Sequence, residues 1–337
     1  MLTSTTAYHH DLGDNLVLKS LANPDDVERL AAFNGIIHGP DVVDMTRALI
    51  LRHPAARPDY WLYIEDQSTG QIVASLGLIP WEWRYEDVTI KSGEMGIVGT
   101  LESYRNRGLI RALDARFKEL LREGQFDLSH IQGIPYFYRQ FGYEYAIPLE
   151  ASWQLELQNI PAAPSESPYQ FRLATVDDIP VLMRLYDEEV RGLDISTIRD
   201  ADIWRCIFGH VADSALASEI WMLLDADSQL IGYWRIAQHG FGGGLIVSES
   251  SRLSHAGPSR FWHISKLSPW NAKNLISAST CPTTMMCCRW HAAGAHMTPA
   301  HMHGKFIWWM SRVCYTSSRP FWNAASPPAS SPDSARR

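Results

Sequence analysis

The chain has 337 residues, 46% hydrophobic and 20% charged, enough for two domains with full cores or one large one. A formal charge of −7 argues against a general nucleic-acid binder, and no apolar run reaches the length of a membrane span. Met1-Leu2-Thr3-Ser4 opens no signal-peptide pattern, so a cytoplasmic protein with neither nucleic-acid nor membrane partner is expected.

Leu16 to Leu18 is the first expected strand. Asn23 then caps a helix with Pro24 at its first position and Val27, Leu30, Ala31 and Ile36 as apolar positions. A second helix is expected over Val42 to Leu51. Tyr60 to Ile64 forms a strand, Asp66 to Gly70 a turn, and Gln71 to Ile79 the returning strand. Val88 to Ile90 and Gly93 to Leu101 continue the sheet. Trp81, Trp83 and Tyr85 alternate, so they share one face, which suits an acceptor pocket and equally a core or interface.

The most informative stretch comes next. The apolar strand ending at Leu101 runs into Glu102-Ser103-Tyr104-Arg105-Asn106-Arg107-Gly108, and a helix starts at once. Leu109, Ile110, Leu113, Phe117, Leu120 and Leu121 form its apolar face. Arg111, Asp114, Lys118, Arg122 and Glu123 form the wet one, and Gly124 is the stop. A helix N-terminus presents unpaired N–H groups and positive dipole, and flanking arginines add charge-assisted bonds, so the junction suits a pyrophosphate. Phe126 to Ile131 is a further strand, and Pro135 to Phe141 a short helix.

Arg105-Asn106-Arg107-Gly108-Leu109-Ile110 resembles the Arg/Gln-x-x-Gly-x-Gly/Ala motif of the GNAT acetyltransferase superfamily, departing from it at Ile110. Its Arg-x-Arg-Gly-Leu-x-Arg form is most similar to the tandem-GNAT group that includes the enhanced-intracellular-survival aminoglycoside acetyltransferases. Gly133 to Glu144, with Phe141-Gly142-Tyr143, resembles a second segment of that group. The likeness extends over roughly residues 15 to 250. It implies an α/β GNAT fold with a mixed, mainly antiparallel sheet flanked by helices, present in tandem with a degenerate second copy.

The resemblance implies acetyl-CoA as co-substrate and an N-acetyltransferase working on a primary amine by direct attack in a ternary complex. Its pyrophosphate falls to Arg105, Asn106, Arg107, Gly108, Leu109 and Ile110. The pantetheine arm pairs along the strand edge at Val98, Gly99 and Thr100, where Gly99 permits close approach. Tyr138, at the position over the thioester sulfur, is the proton donor to the leaving thiolate. A packed aromatic cluster of Tyr136, Phe137, Tyr138, Phe141 and Tyr143 is the bland reading of the same residues. In that group the terminal carboxylate is the base, yet Ala335-Arg336-Arg337 does not match, so Glu102 and His130 stand as candidates and the base stays unassigned. An acyl-CoA-binding regulatory protein is the alternative function. The acceptor is a small-molecule or peptide amine, and a homo-oligomer is compatible with the sequence.

Domain boundaries follow from composition. Residues 1–157 form the catalytic unit and 158–168, rich in Pro and small residues, the linker. In 169–254, Phe171 to Pro180 echoes the opening strand and capped helix, and Ile220 to Ser228 echoes Tyr60 to Gly70. Nothing after Leu245-Ile246-Val247 supplies Arg-x-x-Gly, and Gly240 to Gly244 is expected to be a hairpin. Residues 255–337 hold one of 37 acidic residues, Asp333, but six of 13 tryptophans and four of five cysteines. A frameshift near Ser254 accounts for that mixture, with a disordered tail as the other reading. His291 and His296 have the spacing of half a zinc motif, but Cys281, Cys287 and Cys288 fit no common finger, so no metal site is expected.

Overall fold

Asn23 takes extended dihedrals and its side chain accepts the Asp26 N–H, starting α1 (Pro24–His38) with Pro24 where a missing N–H matters least. α2 (Asp41–Leu51) follows almost directly. The computed structural model describes residues 7–134, 136–148, 152–156, 169–209, 214–238, 245–251, 275–279 and 312–317. The linker and the Gly240 to Gly244 hairpin lie outside them.

The first sheet begins with β1 (His9–Gly13) and β2 (Leu16–Ser20), followed by β3 (Trp61–Asp66), β4 (Gln71–Tyr85) and β5 (Val88–Thr100). These run antiparallel in sequence order. β6 (Leu128–Gly133) then joins β5 in parallel, after the crossover through α3 (Leu109–Glu123). Beyond β6 lie β15 (Arg312–Ser317) and β7 (Glu144–Pro148), both from antiparallel pairings.

Several elements differ from expectation. β4 runs on to Tyr85 and β5 is continuous from Val88, because the residues across the Glu86–Asp87 turn pair without a break, Tyr85 with Val88 through Pro80 with Gly93. β6 starts at Leu128 rather than Phe126, since the Phe126 N–H is spent on the Leu121 carbonyl. The short helix is a 3₁₀ turn over Phe137–Phe141. Asp114 is buried instead of wet: Lys118 bonds it at 2.7 Å and also donates to the Phe141 carbonyl at 2.9 Å, so the aromatic turn covers that side of α3.

Helices cover both faces of this sheet. Ser75 pairs with Gly99 and Pro80 with Gly93, and an odd spacing along β4 puts the two pairs on opposite faces. On one face, a Cβ at Gly99 would meet Ile37 of α1 at 3.0 Å, and Ser75 Oγ donates to Asn34 of α1 at 2.8 Å. On the other, a Cβ at Gly93 would meet Leu121 of α3 at 2.4 Å. Leu30, Leu62, Val73, Ala74, Leu113 and Phe117 are fully enclosed between these layers.

The second sheet runs β8 (Ser152–Glu156), β14 (Leu275–Ser279), β13 (Leu245–Ser250), β12 (Leu230–Ala237), β11 (Ser218–Leu224), β9 (Gln170–Leu173). Among the described strands of this sheet, β13 and β14 alone pair in parallel. α4 (Ile179–Val190) follows a Thr175–Asp178 capping box, and α5 (Ala201–Phe208) is capped by Asp200. Their core packs Leu182, Trp204, Met222 and Tyr233. Arg199 is enclosed with Glu249 at 2.7 Å, Tyr233 donates to that carboxylate at 2.6 Å, and the Tyr186 ring lies 4.2 Å from the guanidinium.

The two sheets are joined by a strand absent from the sequence reading. β10 (Ile195–Thr197) leaves the second unit and pairs antiparallel with Trp83 to Tyr85 of β4. Arg84 reinforces the join by donating to the Val190 carbonyl and to Ser196 Oγ. Two segments of the compositionally odd tail, β14 and β15, pair within the sheets.

Candidate active site

The phosphate junction has the expected form. After β5, residues Glu102–Tyr104 make a 3₁₀ turn, and Asn106 (φ 62°) and Gly108 (φ 75°) both take left-handed dihedrals that swing the chain into α3. Asparagine and glycine tolerate that region best. No side chain caps α3 and its first turn has no acid, so the N–H groups around Leu109 and Ile110 face outward with the helix dipole behind them. Arg105, Arg107 and Arg111 are exposed around that end. This uncapped helix start, flanked by arginines, forms a cradle whose sign and free amides suit an anion.

The strand leading to the cradle is partly unpaired. β5 stays bonded to β4 as far as Thr100 but to β6 only over Ser92 to Glu94, where Glu94 stands opposite His130. Beyond that pair the two parallel strands part. The cause lies in β5: between the pairs Gly96–Gly77 and Gly99–Ser75 it carries one extra residue, a β-bulge, and Ile97 takes φ 48°. A β-branched residue in that region costs about 1–2 kcal/mol and persists only where the surroundings impose it. The bulge re-aims Val98, Gly99 and Thr100 and leaves their outer edge open to an extended ligand arm. At Gly99 the missing side chain serves the contact with Ile37; its backbone still lies on the open edge. His38, at the end of α1, hydrogen-bonds the Val98 backbone.

Where the strands part, a polar cluster sits on the α1 face. Trp81 Nε1 donates to Glu94 Oε2 at 2.7 Å. His130 Nδ1 and Ser92 Oγ are 2.6 Å apart, and His130 Nε2 lies 3.8 Å from Glu94 Oε2, beyond hydrogen-bond distance. The Trp83 ring is 4.3 Å from the His130 ring, and His53 meets Trp81 edge-on at 5.1 Å. Burial raises the Glu94 carboxyl above its usual range despite the indole bond. Burial also pushes His130 down to about 3, so its ring is neutral at pH 7. The Glu94 side chain keeps 19% exposure, so a ligand can reach it.

Tyr138 belongs to the 3₁₀ turn behind β6. A Cβ at Gly133, three residues past His130 on the parted arm, would run into one edge of its ring, so the ring packs directly against that arm. It is buried at 8% exposure among Phe137, Phe141 and Tyr143. The aromatic cluster thus lies behind β6 on the α3 face of the sheet, the Glu94–His130 cluster on the α1 face.

His130 is where the sequence suggests a base, whereas Glu102 opens the 3₁₀ turn, is exposed, and stays outside the cluster. Glu94, Ser92 and His53 are the residues sequence reasoning missed. The signal for the first two was present: a two-residue turn at Glu86–Asp87 fixes the hairpin register, and counting outward sets Ser92 opposite Trp81 and Glu94 opposite Ile79.

Residues 46–146, spanning β3 to β6, the cradle and the aromatic turn, match the family model described as an acetyltransferase (GNAT) domain. No curated protein sequence matches the chain. Among solved structures, a probable N-acyltransferase from Enterococcus faecalis is similar over 90% of this chain and 73% of its own, at TM-score 0.62 and 12% identity. A GCN5-related N-acetyltransferase from Anabaena variabilis gives 90% and 73% coverage, TM-score 0.59 and 14% identity. One from Kribbella flavida gives 89% and 70%, TM-score 0.59 and 14% identity. At such identities the likeness is one of fold, and the α/β fold with a mixed sheet between helices is common to all. Residues 46–146 are thus similar to a GNAT acetyltransferase domain, and the chain shares the α/β fold of these structures.

Proposed function

We propose that this chain moves an acetyl group from acetyl-CoA to a primary amine by direct attack in a ternary complex. The observation that carries the reading is the parting of β5 from β6 just past Glu94 and His130, with the arginine-flanked start of α3 at the far end of the same open edge. One strand thus has a phosphate cradle at one end and a proton acceptor at the other. Arg105 and Arg107, with the α3 amides, hold the pyrophosphate. The edge at Val98 to Thr100 pairs with the pantetheine arm and presents N–H groups to the thioester oxygen.

Glu94 takes the proton from the attacking ammonium, whose pKa near ~10 would otherwise keep it unreactive at neutral pH. A carboxylate with a raised pKa is a better base than an ordinary one. His130 stays neutral and packs beside the carboxylate; Trp81 fixes the Glu94 rotamer. As the amine nitrogen bonds to the carbonyl carbon, the carbon–sulfur bond breaks, Tyr138 gives its proton to the thiolate, and the second proton shed by the new amide nitrogen returns to the Tyr138 phenolate. Trp81 and Trp83 wall the acceptor side, and β10 brings the second unit against them.

The second unit is best explained as a degenerate copy, as in the tandem-GNAT group. Strand, helix, helix and three antiparallel strands recur as β9, α4, α5, β11, β12, β13 after β2, α1, α2, β3, β4, β5, with the neighbours in the same order. We assign it no acetyl-CoA site, since no Arg-x-x-Gly follows β13.

Calorimetry with acetyl-CoA on the full chain, then thiol release with a panel of amines, tests the reading. Binding abolished by Arg105→Ala with Arg107→Ala, and amine-dependent thiol release, are the expected results. Binding without release for any amine would favour a non-catalytic acyl-CoA binder. A folded protein that binds no acetyl-CoA would end the proposal.

A further inference from the structure

The cradle contains an internal support that the proposed reaction does not use directly. The Arg107 guanidinium lies 4.8 Å over the Tyr104 ring and reaches the Ser103 carbonyl at 3.4 Å. Tyr104 is itself held, because its phenol donates to Asp66 Oδ2 at 2.7 Å. Asp66 sits at the end of β3, and its turn is closed from several sides. Its Oδ1 accepts the Ser68 N–H at 2.9 Å and the Ser68 hydroxyl at 2.5 Å, and its carbonyl accepts the Gly70 N–H at 2.7 Å. The bonds from Ser68, then that from Tyr104, hold the Asp66 carboxyl below its usual range, so it is a carboxylate at neutral pH. A rigid β3–β4 turn, a phenol and an arginine thus form one line ending at the phosphate site.

A free arginine samples many rotamers, and ordering it on a ligand subtracts from affinity. Stacking on a ring that is pinned at its hydroxyl restricts those rotamers beforehand, and the negative charge behind the ring makes its face more attractive to a cation.

We propose that Asp66 and Tyr104 act as a strut that preorganises Arg107 for the pyrophosphate of the acyl-CoA donor. They are positioning residues, and the inference rests on the acetyl-CoA reading above. The strut acts on donor binding alone, so it bears on the part of the donor that carries phosphate and not on the thioester.

The test compares wild type, Tyr104→Phe, Tyr104→Leu and Asp66→Asn with acetyl-CoA and with S-acetyl-pantetheine, which has no pyrophosphate. Tyr104→Phe keeps the ring and is expected to raise KM and Kd for acetyl-CoA about threefold, and Tyr104→Leu about tenfold, with kcat unchanged at saturation. Asp66→Asn should fall with Tyr104→Phe. With S-acetyl-pantetheine all four proteins should have equal kcat/KM. Equal losses on both donors would mean general damage to the fold and overturn the strut. Wild type that binds acetyl-CoA while Tyr104→Phe binds it equally well would overturn the strut alone. Wild type that binds no acetyl-CoA would remove the cofactor reading and the strut with it.

Discussion

Glu94→Gln separates proton transfer from packing. Glutamine has the size of glutamate, and its amide oxygen accepts the Trp81 indole N–H as Glu94 Oε2 does at 2.7 Å. What disappears is the capacity to take a proton. A positioned general base contributes about 10²–10⁴-fold. His130, at 3.8 Å, offers no substitute, because burial holds its pKa at about 3 and so makes it a feeble base. The expected loss in kcat/KM for the amine is therefore near the middle of that range, about 10³-fold, or about 4 kcal/mol of transition-state stabilisation. Acetyl-CoA affinity should stay the same, since the cradle is at the other end of β5.

The same carboxyl gives a second readout whose sign follows from its raised pKa. In the unfolded chain it ionises near ~4.3. In the folded protein it ionises later, so the native state carries a penalty. That penalty is absent below the unfolded value, grows as pH rises towards the folded value, and persists above it. Glu94→Gln should therefore melt at a higher temperature than wild type at pH 8, with the difference closing towards pH 4. Wild-type kcat/KM should rise with pH as Glu94 ionises, and the variant should lack that limb. Thiol release followed from pH 5 to 9 and calorimetric melting test both. A variant within threefold of wild type with the same pH profile would refute Glu94 as base, and a melting difference independent of pH would refute the account of its burial.

Trp83→Ala removes the ring 4.3 Å from His130 and should raise the amine KM about tenfold while leaving acetyl-CoA affinity intact, as steady-state kinetics with either substrate varied would reveal. Leu113, at 0% exposure on the buried face of α3, should cost about 2–5 kcal/mol as Leu113→Ala in denaturant unfolding. Arg199→Met removes the 2.7 Å ion pair and leaves the Glu249 carboxylate with only Arg235 and the Tyr233 hydroxyl, and should cost about 3 kcal/mol in denaturant unfolding.

The parts of this fold written locally were legible, and those set by distant pairing were not. Asn23-Pro24 specifies a helix start by its own side chain and ring, and the Asn106–Gly108 turn by its dihedral tolerance, so both could be read without neighbours. The cradle was legible for the same reason. Asp114 was misread because helical spacing says which side a residue lies on, and a turn arriving from Phe137–Phe141 decides whether that side is covered. β10 eluded the reading because its three residues gain their identity only from β4, a strand more than a hundred positions earlier in the chain. The bulge at Ile97 is the sharpest case. Nothing about an isoleucine announces a left-handed conformation; it is imposed by β4 holding both flanks of β5 in register while β5 has one residue too many. That surplus residue parts the strands, opens the edge, and leaves Glu94 and His130 as the last pair before the opening. The site's chemistry thus follows from a register count across a hairpin, and the residue types at those positions become meaningful only once the count is made.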